Sequence, residues 1–359
     1  MITTRVMREL GMAHPVFSAG MARVSQAGLA AAVSEAGGMG CLGGASFMPE
    51  ALREEIHDLR QRTARPFAVN LLTPAIYYSG DPADDAGARV HQAWERLTPA
   101  QRQKLKGIEP LLTPGIAKEQ IAVVLEERPA VLVLTFEVPH DVVAACHERG
   151  IKVMALCGSV GRAVAAQAAG ADYIIAQGTE GGGHTGYVGT LALIPAVVDA
   201  VGIPVVAAGG ISDGRGLAAV LCLGAEAAWC GTRFVASEEA YGHVLYKRRL
   251  IGAAARDTTV TKAYSGKTLR TLRNDWTVQW ETASRGDSAE FPAQYGVAGE
   301  RVETGYQDGD VEQGMMPAGQ GVGLVHDILP AGEIVRRLSR EAAEILARLA
   351  VQLEPRIES

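Results

Sequence analysis

The sequence predicts a closed parallel α/β barrel of the (β/α)8 type, with a smaller helical lid domain inserted after the eighth strand. Eight short apolar runs alternate with amphipathic stretches, which is the pattern of repeated strand–helix units. Runs such as VLVLTF and YIIAQ are typical of parallel strands buried on both faces. Eight such units close a TIM barrel, and 359 residues are enough for one domain of that size.

An open sheet of the Rossmann type would contain the same apolar strands. No G-x-G-x-x-G motif opens a helix near the N-terminus, where that fold would carry one. The unbroken strand–helix order therefore favours the closed barrel. The predicted strands cover residues 15–19, 39–42, 67–71, 131–136, 152–156, 173–177, 204–208 and 227–231.

Two stretches do not fit the repeat. Residues 73–114 form an insert after the third strand, and residues 237–315 hold a basic helix candidate at 262–274 followed by a polar, glycine-rich segment. Helical periodicity resumes over 322–353, which we interpret as the closing helix of the barrel. Loops that follow barrel strands gather at one face, so both inserts are expected to cap an active-site mouth. We therefore divide the chain into a barrel, 1–236 and 316–359, and a lid or substrate domain, 237–315.

Composition and charge exclude several classes of protein. The net charge is -6, and the basic residues are scattered apart from Lys247, Arg248 and Arg249, so no nucleic-acid partner is expected. The N-terminus lacks a signal-peptide pattern and no apolar run approaches the ~20 residues that span a bilayer, so we expect a cytoplasmic protein without a membrane partner. A homo-oligomer is possible.

The cysteines and histidines indicate neither disulfides nor a metal site. Five widely spaced cysteines without a C-x-x-C pair fit buried, reduced thiols. Cys41 and Cys157 lie near strand ends, but a small buried hydrophobe is a more common role for cysteine than a nucleophile. The histidines other than His184 show no ligand spacing, so no metal is expected.

Glycines end the seventh and eighth predicted strands. Gly209 and Gly210 follow one strand, and Gly231 and Thr232 follow the next. Many barrels bind phosphate at this place through backbone N–H groups, so these residues predict a phosphate cradle for a nucleotide-type cofactor. The alternative is that they merely form tight turns, with Asp213 capping the next helix.

The stretch AQGTEGGGHTG follows the sixth predicted strand on the same rim. Gln177 could hydrogen-bond a flat heteroaromatic ring, and Gly182 and Gly183 would let the backbone wrap a cofactor chain. His184 would then project over the ring, where an imidazole can move a carbon-bound proton. A flexible surface loop with an idle histidine is the alternative interpretation.

Two further strand ends supply candidate cofactor contacts. Asn70 ends the third strand and could donate and accept hydrogen bonds toward the same ring, although loop asparagines are common. The residues after the first strand could offer backbone contacts to the ring edge, or simply form a turn. They are Ser18, Ala19, Gly20 and Met21.

Several of these motifs, in this order, resemble the nitronate monooxygenase (nitropropane dioxygenase) family. They are PVFSAGMA, LAAAVSEAGGMGCLGG, VNL, AQGTEGGGHTG, VVAAGGISDGRGLAAVLCLGAEAAWCGTRF and PAGQGVGLV, which span most of the chain. The resemblance implies a barrel with non-covalent FMN at the strand C-terminal face. It also implies FMN contacts from Asn70, Gln177, Gly182, Gly210, and the run Trp229, Cys230, Gly231 and Thr232.

By the same resemblance, His184 is the catalytic base or acid. Members of this family oxidise alkyl nitronates with molecular oxygen to carbonyl compounds and nitrite, so the expected partners are a small-molecule substrate and O₂. The chain departs from the family pattern in the loop after the first strand and at Trp229, where a smaller or polar residue is usual. These departures leave the backbone contacts possible but bear on the shape of the substrate.

Other functions remain open on the sequence alone. Flavin-dependent enoyl-acyl-carrier-protein or enoyl-CoA reductases are similar in fold and in the glycine–histidine loop. They would need NAD(P)H and a groove for a pantetheine arm, which the basic residues at 247–249 and 262–273 could line, although a solvated helix face explains those residues as well. An NADH:quinone reductase is a third possibility, and a non-catalytic flavin- or CoA-binding protein a fourth. The GG-x-x-D-G run also resembles inosine monophosphate dehydrogenase-type barrels, but no loop with a suitable catalytic cysteine is evident.

Overall fold

The barrel prediction is confirmed by the computed structural model, which describes residues 2–73, 114–283, 288–289 and 294–353. Eight parallel strands pair in the order β1-β9-β8-β6-β5-β4-β3-β2. A parallel bridge between Phe17 and Met39 connects the two ends of this order, β1 and β2, and so closes the barrel. The strands are β1 (Val16–Ser18), β2 (Gly40–Leu42), β3 (Phe67–Thr73), β4 (Val131–Phe136), β5 (Lys152–Cys157), β6 (Tyr173–Gln177), β8 (Val205–Ala208) and β9 (Ala227–Cys230), while β7 (Gly183–His184) lies outside the barrel.

Helices surround the barrel. Several start at a side chain that caps their first turn, such as Ser159 and Asp213, which accept hydrogen bonds from backbone N–H groups of the helices that follow them. The predicted insert at 73–114 lies, apart from its two end residues, outside the described residues. Up to β9, the helices are α1 (Arg5–Leu10), α2 (Ala27–Glu35), α3 (Pro49–Arg62), α4 (Pro114–Glu127), α5 (His140–His147), α6 (Val160–Ala168), α7 (Thr190–Ala200) and α8 (Gly214–Cys222).

The barrel interior is packed rather than hollow. Phe17, Met39, Tyr173 and Trp229 belong to one fully or almost fully buried cluster, which α1 closes at the strand N-terminal end with Val6 and other apolar residues. The alternate residues of the strands pack outward against the helices. Because side chains alternate between faces, the strand sequence decides which residues can reach the mouth.

The segment after β9 combines helices with a small antiparallel sheet. Its helices are α9 (Thr232–Val235), α10 (Val244–Ile251), α11 (Asp275–Ala283), α12 (Gln294–Ala298) and α13 (Arg301–Gln307). Strand β11 (Leu269–Leu272) pairs on one side with β10 (Thr258–Thr261) and on the other with β7. The small sheet thus connects this segment to the glycine–histidine loop.

The predicted basic helix at 262–274 is wrong, because residues 269–272 form β11 instead. Four consecutive residues of β11 are buried, which a helix with one apolar face does not produce. Thr271 also favours a strand, and both edges of β11 have hydrogen-bonding partners. Tertiary pairing therefore overrides the spacing of the basic residues.

The last helix, α14 (Ala331–Leu353), packs on α8 and α2 and covers the outside of the barrel. It starts at Ala331 rather than at the predicted residue 322, because residues 320–324 form a 3₁₀ turn. Glu341 of this helix accepts a hydrogen bond from the N–H of Gly214 at the start of α8 (3.0 Å). Among the described helices, none is long and apolar enough to cross a membrane.

Candidate functional site

A cavity of about 280 Å³ opens at the C-terminal ends of the barrel strands. Its inner part is lined by strand ends and by the glycine–histidine loop. Its outer part is lined by residues of the segment after β9, including Tyr246 and Tyr306. This is the face at which barrel enzymes carry their active sites.

The structure brings most of the predicted site residues to this one cavity. Those that line it are Ala19, Gly20, Met21, Asn70, Gln177, Gly182, Gly183, His184, Gly209, Gly210, Trp229, Gly231 and Thr232.

Ser18 and Cys230 are exceptions, because they do not line the cavity. They are register partners on β1 and β9, and their neighbours Phe17 and Trp229 point into the barrel interior. By alternation, Ser18 and Cys230 face the other way. Ser18 Oγ accepts a hydrogen bond from the N–H of Cys41 (3.2 Å), and Cys230 is buried in the outer core cluster. The side chains of Ser18 and Cys230 are therefore turned away from the cavity, while cofactor contacts from the backbone at these two positions stay a prediction.

Glu180 holds the glycine–histidine loop in place. Its carboxylate accepts hydrogen bonds from the N–H and the hydroxyl of Thr190 at the start of α7 (both 2.8 Å). Thr190 Oγ1 also lies 3.0 Å from the backbone oxygen of Gly209, which has a φ of 102° that favours glycine. These contacts fix two of the predicted cofactor loops relative to each other.

The segment that follows α13 crosses the same loops. The backbone N–H of Gly319 donates to Thr232 Oγ1 (2.8 Å), and the N–H of Gln320 donates to the backbone oxygen of Glu180 (2.8 Å). A Cβ at Gly182 would lie 2.8 Å from backbone atoms of Ala318 and Gly319. Glycine is needed at position 182 because two backbones approach each other closely there.

The amide side chains of Asn70 and Gln177 are oriented by the protein itself. Asn70 Nδ2 donates to the backbone oxygen of Val133 (3.1 Å) and to Thr135 Oγ1 (3.0 Å). Because both amide hydrogens are engaged, the carbonyl oxygen of Asn70 is the atom that can accept a hydrogen bond from a ligand. Gln177 Nε2 donates to the backbone oxygen of His184 (2.7 Å), which links the barrel strand to the histidine.

His184 lies on β7 at the cavity wall. Its Nε2 is 2.8 Å from Ser265 Oγ, and its ring centre is 6.4 Å from that of Phe136. Lys267 Nζ lies 4.0 Å from the centre of the Phe136 ring. Burial, together with the charge of Lys267, lowers the pKa of His184 to about 4. The imidazole is therefore neutral at physiological pH and can accept a proton.

Ser265 is expected to keep the His184 ring in its working orientation. Ser265 is buried, and its Oγ also accepts a hydrogen bond from the N–H of Lys267 (3.3 Å). We expect Ser265→Ala to lower kcat/KM for a substrate that needs proton abstraction by about tenfold, since one hydrogen bond of about 1.5 kcal/mol is lost. Ser265→Thr, which keeps the hydroxyl, should restore most of that loss. Equal activity of the alanine variant and the parent would contradict this role.

The cysteines near the site are poor nucleophiles. Burial raises the pKa of Cys157 to about 12 and that of Cys41 well above its ordinary value, so both thiols stay protonated. All five cysteines are free, as the sequence predicts, but Cys222 is exposed rather than buried.

Sequence reasoning missed most of the outer wall. Tyr246, Tyr295, Tyr306 and Met315 line the cavity from positions far along the chain from the glycine motifs, and no local pattern marked them. Two other lining residues, Thr135 and Leu156, could have been predicted from the sequence, because they lie at or next to the C-terminal ends of predicted strands.

Comparisons with known proteins point to one family. A family model described as "Nitronate monooxygenase" matches residues 4–341. A nitronate monooxygenase of Paraburkholderia phytofirmans is 36% identical over 356 residues, which cover 95% of each chain. A probable nitronate monooxygenase of Staphylococcus aureus is 33% identical and covers 95% of this chain and 98% of its own.

Two solved structures are similar to this chain, and their names indicate two different kinds of enzyme. A nitroalkane oxidase from Streptomyces ansochromogenes has a TM-score of 0.80 at 32% identity, covering 96% of this chain and 100% of its own. FabK from Thermotoga maritima has a TM-score of 0.80 at 33% identity, covering 98% of this chain and 100% of its own.

Proposed function

Because this chain belongs to the nitronate monooxygenase family and is a flavin-dependent oxidoreductase, we propose that it binds FMN and oxidises alkyl nitronates with molecular oxygen to carbonyl compounds and nitrite. The observation that carries this proposal is a neutral His184 at the wall of a cavity whose inner rim is built from glycine turns. A base and the proposed cofactor cradle then line one cavity.

The residues at the inner rim fit a flavin nucleotide. A Cβ at Gly183 would meet no protein atom within 4 Å, so the backbone there leaves room for a ligand, whereas a Cβ at Gly209 would lie 2.8 Å from Thr190 Oγ1, so glycine there serves the packing of the loop. The Thr232 hydroxyl and nearby backbone N–H groups would hold the phosphate, while Asn70 and Gln177 would contact the ring. Bound FMN would supply an electron acceptor for the nitronate and, once reduced, a donor for oxygen.

His184 would act when the substrate is a neutral nitroalkane. Its neutral imidazole would accept the α-proton and so generate the nitronate inside the cavity. A preformed nitronate has already lost that proton. We further propose that residues 237–315 act as the lid or substrate domain, which is supported by the side chains that this segment contributes to the cavity wall.

The acid side of the pH profile tests the protonation state of His184. Because its pKa is lowered to about 4, the proton-accepting form persists from neutral pH down to that value and is lost below it. We expect kcat/KM for a neutral nitroalkane to fall to half near pH 4. Lys267→Met should move this fall to higher pH, because a charge that lowers the pKa is removed. A fall at the same pH in a folded Lys267→Met protein would contradict the assignment of this titration to His184.

An enoyl reductase is the second candidate, favoured by the similarity to FabK, an enoyl-acyl-carrier-protein reductase. The basic residues that the sequence suggested for a pantetheine groove support it less well. Lys247 is buried, and its Nζ donates to the backbone oxygens of Ser237 (2.6 Å) and Glu238 (3.2 Å). The ammonium group of Lys247 therefore stabilises the backbone at residues 237–238 and does not line a groove.

An anaerobic titration distinguishes the two candidates. We expect the purified protein to be yellow with bound FMN, and we expect ethylnitronate to bleach the flavin absorbance. NADH and NADPH should bleach it slowly or not at all. Rapid bleaching by a nicotinamide nucleotide, with none by nitronate, would replace the proposed oxidation by a reductase function.

A further inference from the structure

The last residue of β4 has a backbone conformation that bulky residues rarely adopt. Phe136 has a φ of 90°, in the left-handed region that favours glycine. Leu132 and Leu134, which have the same parity along β4, pack in the outer core. A regular strand would send the Phe136 ring to that side as well. The positive φ ends the regular strand geometry at this residue, and the ring lies beside His184 instead.

Thr73, the register partner of Phe136 on β3, holds this conformation from both sides. The backbone N–H of Glu137 donates to the backbone oxygen of Thr73 (2.9 Å). The hydroxyl oxygen of Thr73 lies 2.6 Å from the backbone oxygen of Glu137 and 3.1 Å from that of Thr135. Thr73 is fully buried, so these hydrogen bonds are shielded from water. Backbone strain that the surrounding structure fixes in this way is typical of functional sites.

The ring of Phe136 contacts both His184 and Lys267. The centres of the Phe136 and His184 rings are 6.4 Å apart and their planes are tilted by 57°, which is the geometry of a favourable aromatic pair. The ammonium nitrogen of Lys267 lies 4.0 Å from the centre of the Phe136 ring, as in a cation–π contact. One aromatic ring therefore connects the imidazole to a nearby cation.

Four charged groups lie on the elements that pack around this contact. Glu137 forms an ion pair with Arg162 (2.8 Å), and Arg270 donates through Nε to a backbone oxygen (2.9 Å). Burial, and after it the charge of Lys267, lowers the pKa of His184. Of these four groups, Lys267 is therefore the one whose charge acts on the imidazole.

We propose that Phe136 is a positioning residue for His184, an inference that rests on the proposed role of His184 as a base. The Phe136 ring covers one side of the imidazole from water and holds the ammonium group of Lys267 on its own face. The strained backbone places the ring there, at a position where glycine would be the unstrained choice. Loss of the ring would expose the imidazole to water, which favours its protonated form.

Nuclear magnetic resonance of the purified, histidine-labelled protein measures this effect without turnover, with His184→Gln to assign the signal. Because the pKa of His184 is about 4, about a tenth of this residue is protonated at pH 5 in the parent. We expect at least about half to be protonated in Phe136→Leu. Phe136→Tyr keeps the ring and should match the parent. An unchanged or smaller protonated fraction in a folded Phe136→Leu protein would overturn the proposal.

Two further variants without the ring test the backbone strain. Glycine adopts a φ of 90° at little cost, whereas alanine does not. We therefore expect Phe136→Gly to unfold at a higher denaturant concentration than Phe136→Ala, the reverse of the order usual inside a strand. A lower unfolding midpoint for Phe136→Gly than for Phe136→Ala would contradict the strained placement of the ring.

Turnover of nitroethane separates this inference from the proposed function. The ratio of kcat/KM at pH 7 to kcat/KM at pH 5 should be near one in the parent, whose imidazole stays mostly neutral over this range. We expect a ratio of at least about two in Phe136→Leu, because half of the base is protonated at the lower pH. If neither protein oxidises nitroethane, the proposed oxidation fails, while the protonated fraction of His184 still supports or overturns the role of Phe136.

Discussion

His184→Ala is expected to lower kcat/KM for neutral nitroethane by about 10²- to 10⁴-fold, the range that a positioned general base contributes. The imidazole lines the cavity and is neutral at physiological pH, because burial and Lys267 lower its pKa to about 4. The variant should retain FMN, since Gln177 bonds to the backbone oxygen of His184 rather than to its ring. Oxygen consumption and flavin absorbance measure the two effects.

The substrate provides the internal control for this variant. Ethylnitronate has already lost its α-proton, so its turnover by His184→Ala should stay within about threefold of the parent, because no general-base step is required. His140→Ala, at an exposed position on α5, should leave both reactions unchanged. Equal losses for nitroethane and ethylnitronate, or loss of FMN, would show that His184 supports the cofactor instead of moving a proton.

Gly182→Ala is expected to lower the free energy of unfolding by about 1–3 kcal/mol, the usual cost of overpacking. The new methyl group would lie 2.8 Å from backbone atoms of Ala318 and Gly319, which cannot move away as a flexible side chain could. The glycine–histidine loop and residues 318–319 would have to separate. Because this loop is proposed to contact FMN, the variant should also retain less flavin after dialysis.

Gly161→Ala is the matched control, with the opposite expected sign. Gly161 lies on the exposed side of α6, and a Cβ there would meet nothing within 4 Å. Alanine should therefore raise the free energy of unfolding by about 0.5–1 kcal/mol through helix propensity. Denaturant titration and bound-flavin content distinguish the two variants, and an unperturbed Gly182→Ala protein would contradict the close approach of the two backbones.

The barrel could be predicted from sequence because its signals are local. Each strand is a short apolar run ended by a polar or glycine residue, and all eight appear within one or two residues of the predicted bounds. The motif residues at the strand ends follow directly, since parallel strands bring their C-terminal ends to one rim. Asn70, Gln177 and His184 therefore line one cavity, as the sequence implies.

The features that sequence reasoning missed depend on contacts between distant segments. Strand β11 forms because it pairs with β7, about 85 residues earlier in the chain. The spacing of the basic residues around β11 does not predict that pairing. Ser18 and Cys230 were predicted as cofactor contacts from their place at the strand ends, and the alternation of faces turns their side chains, though not their backbone, away from the cavity. Tyr246, Tyr306 and Met315 on the outer wall of the cavity were missed for the same reason as β11.

The pairing of β7 with β11 has a consequence for how such enzymes diversify. Leu269, which lines the cavity, is the register partner of His184, and Arg270 is the partner of Gly183. A slip of one residue would turn Leu269 away from the cavity and disturb the support of the imidazole at once. A segment grafted here from a relative would therefore have to preserve this register to keep Leu269 and His184 together at the cavity wall.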